Sequence, residues 1–193
     1  RDQTVTIIVN FQNLLDLYDI HNWMKYINGN RKLSELTIPG THDSGAVKGG
    51  PFYECQTMSI PDQLLKGIRF LDIRCRLKDG VLEICHGETI PYYMDKTFDE
   101  VIEDCKKFLR DHPNESIIMS VKQEGGKPIG NKAEKIIRQY KELWYLENEI
   151  PSLQAVRGKI ILFRRFEHSN QIGIDASTGW QDNSSSFWLG NGQ

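Results

Sequence analysis

Two histidines, an arginine and two aspartates stand just beyond short apolar runs in the first half of this 193-residue chain. Thr41-His42-Asp43-Ser44-Gly45 follows Leu36-Thr37-Ile38, Asp72-Ile73-Arg74 follows Ile68-Arg69-Phe70-Leu71, and Cys85-His86-Gly87 follows Val81-Leu82-Glu83-Ile84. Imidazoles take and release protons near neutral pH, and a guanidinium is a fixed positive charge. The set therefore holds what a metal-free phosphoryl transfer needs: a base, an acid and a charge stabiliser. Lys122 and Arg165 close two further apolar runs, Ser116 to Val121 and Lys159 to Phe163. Taken singly, each has a plain structural use: His42 in a turn, His86 as a hydrogen-bonded histidine, Lys122 and Arg165 as solvated strand ends. An unpaired charge ending a buried strand is costly, so five such ends with complementary ionic groups point to a site.

The elements that must position these groups alternate strand with helix, which predicts a parallel-type α/β sheet or barrel. Thr4 to Val9 is β-prone, Phe11 to Ile27 has near-helical apolar spacing, and Leu36 to Ile38 reads as a short strand turned by Pro39-Gly40. Pro61, Leu64, Leu65 and Gly67 outline a brief helix with its stop. The clearest helix runs from about Phe98 to Asp111, with a Thr97/Glu100 capping box and one apolar stripe. A second amphipathic helix is expected over Ala133 to Leu146. The loop from Ser44 to Ser59 reads as exposed and mobile on composition.

Phe70 to Leu77 and Val81 to Cys85 form a hairpin. A three-residue loop, Lys78-Asp79-Gly80, makes paired positions sum to 158, so that Asp72 faces His86 and Arg74 faces Ile84. In that register Asp72, Arg74 and His86 share one face, while Ile73, Cys75 and Cys85 share the other. A two-residue loop would move His86 away from Arg74.

Bulk properties narrow the class. Apolar content of 39% with 26% charged residues is ordinary for a globular chain, and a net charge of −2 gives no electrostatic case for nucleic acid. No apolar stretch approaches a membrane span. Cys55, Cys75, Cys85 and Cys105 are even in number but lack Cys-x-x-Cys spacing, and Cys105 falls on the apolar stripe of a helix. Asn114-Glu115-Ser116 and Asn183-Ser184-Ser185 fit the short glycosylation pattern. Ser184 to Ser186 is the one low-complexity stretch.

The ordered motifs Leu36-Thr37-Ile38-Pro39-Gly40-Thr41-His42-Asp43-Ser44-Gly45, Phe70-Leu71-Asp72-Ile73-Arg74-Cys75-Arg76, His86-Gly87, Ile117-Ile118-Met119-Ser120-Val121-Lys122 and Gly158-Lys159-Ile160-Ile161-Leu162-Phe163-Arg164-Arg165 resemble the X-type catalytic region of bacterial phosphatidylinositol-specific phospholipase C. The resemblance covers roughly residues 22 to 190, with residues 1–21 an N-terminal extension and 22–193 the catalytic domain. It implies a distorted TIM-type (β/α) barrel and cleavage of phosphatidylinositol to diacylglycerol and inositol 1,2-cyclic phosphate. Carried over by position, it makes His42 the general base, His86 the acid, Asp43 a support for the acid side and Arg74 the charge on the phosphate. Lys122 and Arg165, with Asp72, match the substrate-binding side.

Arg74 stands where eukaryotic relatives use calcium, so the resemblance implies no metal and no other cofactor. Family members run beyond the point matching Gln193, which implies an incomplete barrel here, completed by further sequence or by a second chain. The missing part would hold the aspartate that orients the base. Phosphatidylinositol in membranes is the implied partner, met peripherally through Phe52 and Tyr53, and the implied location is secreted or extracellular, at the membrane surface. Two other readings stay open: a metal-dependent glycerophosphodiester or sphingomyelin phosphodiesterase with Glu88 and Asp72 as ligands, and a non-catalytic inositide-binding module.

Overall fold

Side chains alternate across a strand, and here that alternation puts an apolar layer on one face of the sheet and, on the other, a small apolar cluster followed by charge. The structure, a computed structural model, describes residues 19–177. In chain order the elements are β1 (Gly40–Thr41), α1 (Ile60–Leu65), β2 (Phe70–Lys78), β3 (Val81–His86), β4 (Tyr92–Thr97), α2 (Phe98–Asp111), β5 (Ile117–Gln123), α3 (Gly130–Gln139), β6 (Trp144–Tyr145), β7 (Ile160–Arg165) and β8 (Ile174–Asp175). The strands form one mixed sheet in the order β4-β3-β2-β5-β7-β6, with β1 beside β2 and β8 beside β7. Strands β1, β2, β5, β6, β7 and β8 pair with one another in parallel, while β2–β3 and β3–β4 pair antiparallel. Among the described residues no ladder joins the two ends, so the sheet is an arc of a distorted α/β barrel.

Leu71, Ile73 and Cys75 of β2, Ile117, Met119 and Val121 of β5, and Ile160 and Leu162 of β7 all enter the larger core. Helix α2 covers them with Phe98, Val101, Ile102, Cys105, Phe108 and Leu109, the stripe expected from sequence. Its capping box is formed: Thr97 Oγ1 accepts from the Glu100 backbone N–H, and Glu100 accepts from the Thr97 backbone N–H at 2.7 Å. The opposite phase carries Phe70, Ile118, Ile161 and Phe163 into a second, smaller core, plugged by Met24, Leu33, Leu153 and Val156. Arg69, fully buried, ties the plug down. Its Nε donates to Glu115 at 2.8 Å, and its other nitrogens donate to the carbonyls of Leu64, Ile68 and His21. Beyond the plug, the same inner phase continues as Asp72, Arg74, Ser120, Lys122 and Arg165.

Four expectations change. Leu36 to Ile38 forms no ladder with any described residue; the strand is Gly40–Thr41, because the Pro39 carbonyl accepts from Arg69 and Phe70 and carries the chain straight on beside β2. The helix expected to Leu146 ends at Gln139, since Trp144 and Tyr145 pair with Ile160 and Ile161 as β6. The hairpin loop is two residues, Asp79-Gly80, both with positive φ (48° and 80°) as the tight twisted turn requires. Paired positions therefore sum to 159, so that Cys75 faces Ile84 and Arg76 faces Glu83. The Ser44–Ser59 loop, expected to be exposed, is buried at Ser44, Gly45 and Ala46, with a 3-10 turn at Gly50–Phe52 and the Cys55 and Gln56 amides bonded to the Ala46 carbonyl.

Within Phe11 to Ile27 only a short 3-10 turn, Trp23–Tyr26, is seen after residue 18. Thr4 to Val9, the earlier part of that segment, Asn183 and Ser184 to Ser186 lie outside the described residues. All four cysteines are free thiols.

Candidate active site

The Thr41–Gly45 motif is a loop clamped onto β2. Asp43 adopts φ 42°, a left-handed turn conformation, and its backbone N–H donates to Asp72 Oδ2 at 3.1 Å. The Ser44 amide donates to the Asp72 carbonyl, and the Asp72 amide donates back to Ser44 Oγ, each at 2.8 Å. Buried Gln63, from α1, holds the loop from behind by donating to the carbonyls of Ser44 and Met58. Gly45 cannot carry a side chain, since a Cβ there would lie 2.5 Å from Ile84 Cγ2. His42 is thus held at the rim with 65% of its side chain exposed, its Nδ1 3.5 Å from Asp72 Oδ2 and 3.4 Å from Arg74 Nη2.

The parallel registers Arg74↔Lys122 and Lys122↔Arg165 set three cations in one lateral row across β2, β5 and β7. Carboxylates interleave with them. Asp72 accepts from Arg74 Nε and Nη2 at 3.1 and 3.0 Å through one oxygen and from Arg165 Nη1 at 3.2 Å through the other. Glu124, almost wholly buried, lies 3.8 Å from Arg74 and 3.2 Å from Lys122, and it accepts from the Gly87 amide. Glu88 accepts from Lys122 at 3.0 Å. Arg74 stays a cation: burial opposes its charge, but Asp72, Asp43 and Glu124 together outweigh that and raise its pKa.

His86 meets this group differently from the way a shared strand face would bring it. Alternation along β3 puts it in phase with Leu82 and Ile84, and the Asp43–Cys55 loop crosses over that strand end to reach it. Its Nδ1 donates to the Tyr53 carbonyl at 3.0 Å, and its Nε2 lies 3.9 Å from Asp43 Oδ2. Asp43 also lies 3.7 Å from Arg74 Nε, so it links the acid candidate to the guanidinium. It is fully buried, and neither of its carboxylate oxygens receives a hydrogen bond. Burial pushes its carboxyl up to about 7, with Arg74 and His86 pulling the other way.

All seven sequence-derived site residues come together: His42, Asp43, Asp72, Arg74, His86, Lys122 and Arg165. The arrangement offers a rim imidazole, His42, against the Arg74 guanidinium, a half-buried imidazole, His86, linked to it through Asp43, and two further cations in the same row. That suits a phosphodiester oxygen and a polyhydroxylated neighbour. Residues 30–166 match the family model described as phosphatidylinositol-specific phospholipase C, X domain.

The chain belongs to this family. It is 36% identical over 155 residues to the 1-phosphatidylinositol phosphodiesterase of Listeria monocytogenes, a match spanning 72% of this chain and 47% of that protein. It is 32% identical over 183 residues to the protein of the same name from Staphylococcus aureus, spanning 84% and 57%. The fold superposes on the Listeria monocytogenes phospholipase C with a TM-score of 0.70 at 31% identity, over 81% of this chain and 62% of that one. A Staphylococcus aureus phospholipase C structure concerned with modulation of membrane binding gives 0.72 at 28% identity, over 86% and 61%. The chain spans about half the length of the curated relatives it matches.

Two residues of this X domain escaped the sequence reading. Glu124 was signalled by parity, since 120, 122 and 124 share one face of β5 and its extension. Cys55, whose Sγ lies 3.8 Å from His86 Nδ1, sits in a loop with no periodicity to mark it.

Proposed function

We propose that the chain carries the catalytic part of a lyase that cleaves phosphatidylinositol to diacylglycerol and inositol 1,2-cyclic phosphate without a metal in the chemical step. The observation that carries this is Arg74, placed against His42 on one side and, through Asp43, against His86 on the other. His42 takes the proton of the inositol 2-hydroxyl, whose oxygen attacks phosphorus. The phosphorus–oxygen bond to diacylglycerol breaks, and His86 protonates the departing oxygen. Attack by a hydroxyl already attached to the substrate has the entropic advantage of an intramolecular step, and each proton transfer contributes about 10²–10⁴ in rate.

Asp72 has both oxygens engaged, so in this reading it acts through the groups it holds. A carboxylate only accepts and a guanidinium only donates, so Asp72 and Arg74 compete for His42 Nδ1. Phosphate draws Arg74 onto its own oxygens. That leaves the Nδ1–H donated to Asp72 and the Nε2 lone pair facing substrate. In this reading Asp72, 3.5 Å from His42 Nδ1, supports the base from within the described strands, beside the aspartate that the family resemblance implies further along the chain. Lys122 and Arg165 hold inositol hydroxyls. Glu88 and Asp72, the ligands a metal-dependent phosphodiesterase would use, are instead paired with Lys122, Arg74 and Arg165. Neither end of the sheet is paired by a described strand, and strands from a longer chain or from a second one would close it.

The substrate is reached at a membrane surface. Phe52 is 86% exposed beside the acid end of the site, next to Tyr53, which stacks on Tyr92 at 5.1 Å. No described helix is long and apolar enough to cross a membrane. The deciding experiment measures cyclic inositol phosphate released from phosphatidylinositol vesicles in excess chelator. His42→Ala and His86→Leu should each abolish it. Headgroup binding with no product from the unaltered chain would sink the catalytic reading.

A further inference from the structure

Sequence spacing gave no metal site, but the folded loop assembles one kind of ligand triangle. One ligand atom from each of Asp43, Cys55 and His86 lies within 4.8 Å of the others. Three features favour a cation there. Asp43 is fully buried, yet both its carboxylate oxygens lack any hydrogen-bond donor, an expensive state that an ion would relieve. His86 donates Nδ1–H to the Tyr53 carbonyl, which orients the other nitrogen as a ligand in the way metal-bound histidines are usually held. Asp72 and Glu124 lie close behind and offset the charge of Arg74.

We propose that Asp43, Cys55 and His86 form an inhibitory site for a soft, tetrahedral divalent cation, Zn²⁺ foremost. The donor set is one thiolate, one imidazole and one carboxylate, and sulfur selects zinc or cadmium over calcium and magnesium. Zinc would draw its ligand atoms to roughly 3.3–3.8 Å from one another, a contraction of about 1 Å within the loop. The thiol proton leaves to solvent as the sulfur–zinc bond forms, and water fills the fourth position. The inhibitory consequence rests on the role proposed above for His86: a ring nitrogen bound to zinc holds no proton for the leaving diacylglycerol oxygen, and Asp43 no longer faces Arg74. Binding itself does not depend on that role. The other three thiols are fully buried and lie outside the triangle.

The test is titration of the metal-free chain with Zn²⁺ by calorimetry, and with Co²⁺ by absorption. One ion per chain is expected, with a thiolate-to-cobalt charge-transfer band in the near ultraviolet. Cys55→Ala should abolish the band and weaken Zn²⁺ binding by at least about 100-fold, while Cys85→Ala keeps both. Cys55→Ser, closer in shape, should lose the band with an unchanged near-ultraviolet circular dichroism spectrum. Zn²⁺ should suppress vesicle cleavage, with full recovery on adding chelator, and Cys55→Ala should escape that suppression relative to its own zinc-free rate. Equal Zn²⁺ affinity in Cys55→Ala, or a missing band, would overturn the ligand set whether or not the chain turns over. Bound Zn²⁺ that leaves cleavage intact or speeds it would overturn the inhibition.

Discussion

Asp72 carries more of the site than any other side chain, and Asp72→Asn isolates its charge with almost no change of shape. One carboxylate faces two guanidinia, at 3.0 and 3.2 Å, and the His42 ring at 3.5 Å. An asparagine has one accepting atom and one donating group. If its oxygen keeps Arg74, its NH₂ points at Arg165, donor against donor. At least one charge-assisted hydrogen bond is lost, worth about 1.5–3 kcal/mol, and two buried guanidinia lose a counter-charge. Breaking a buried pair outright costs about 3–5 kcal/mol; Asp43 at 3.7 Å and Glu124 at 3.8 Å still face Arg74, so about 2–3 kcal/mol of stability is the expected loss.

The effect on rate follows from where the His42 proton sits. An amide at position 72 no longer favours the Nδ1–H form, so a share of the rings presents N–H rather than a lone pair to the inositol hydroxyl. Tightly bonded aspartate–histidine pairs lose about 10⁴-fold on this change. Here the contact is long and the ring largely exposed, so a fall of about 10²–10³ in kcat is expected, or about 2.7–4.1 kcal/mol in the barrier. Initial rates on phosphatidylinositol vesicles, taken over a range of surface concentration, separate kcat from KM. Near-ultraviolet circular dichroism guards against loss of fold imitating loss of catalysis. A folded variant that keeps kcat within about threefold would refute the idea that Asp72 positions the base.

Removing the exposed ring in Phe52→Ala should weaken binding to phosphatidylinositol vesicles by about 5- to 30-fold in a sedimentation assay, the value of partly burying one aromatic side chain; unchanged partitioning would remove Phe52 from the membrane-facing rim. Away from the site, Glu134 on α3 holds the loop after Arg165 by accepting from His168 at 2.6 Å and Asn170 at 2.8 Å, with Arg138 alongside, and these bonds hold its carboxyl down at about 2. A carboxyl depressed in the folded state adds stability above its unfolded pKa of about 4.5 and loses it as pH falls towards 2. The urea-unfolding gap between the unaltered chain and Glu134→Gln should therefore be roughly 1–2 kcal/mol near neutral pH and shrink in strong acid; a gap that stays constant to pH 2 would contradict it.

Period-2 alternation made most of this legible before any coordinates. Leu71, Ile73 and Cys75 against Phe70, Asp72 and Arg74 is a pattern that only a two-faced strand produces, and Phe98 to Asp111 carries its own cap and stripe. What stayed hidden is what alternation does not encode. Trp144 and Tyr145 have the apolar spacing of a continuing helix, and only the open side of β7 makes them a strand. Leu36 to Ile38 is apolar and extended but pairs with no described strand, and it is Gly40 and Thr41 that lie beside Phe70 and Leu71 of β2. Glu124 lies one step past β5, where the parity of Ser120 and Lys122 still runs but the strand pattern has ended.

In the hairpin, His86 joins the other candidate residues without the register expected from sequence. With a three-residue loop His86 would face Asp72 and share a strand face with Arg74; with the Asp79-Gly80 turn that pairing is lost, and Ile84 joins Cys75 in the core. His86 still enters the site because Tyr53 supplies a carbonyl for one ring nitrogen and Asp43 faces the other. His86 is therefore positioned by the loop that carries His42, and only secondarily by its own strand. This explains why Thr41–Gly45 is so constrained. Asp43 sits at positive φ, Gly45 has no room for a Cβ, and Ser44 is bonded to Asp72 on both sides. One loop sets the distance between the His42 and His86 rings, so a shift of its path by the length of a single bond would detune both proposed proton transfers together.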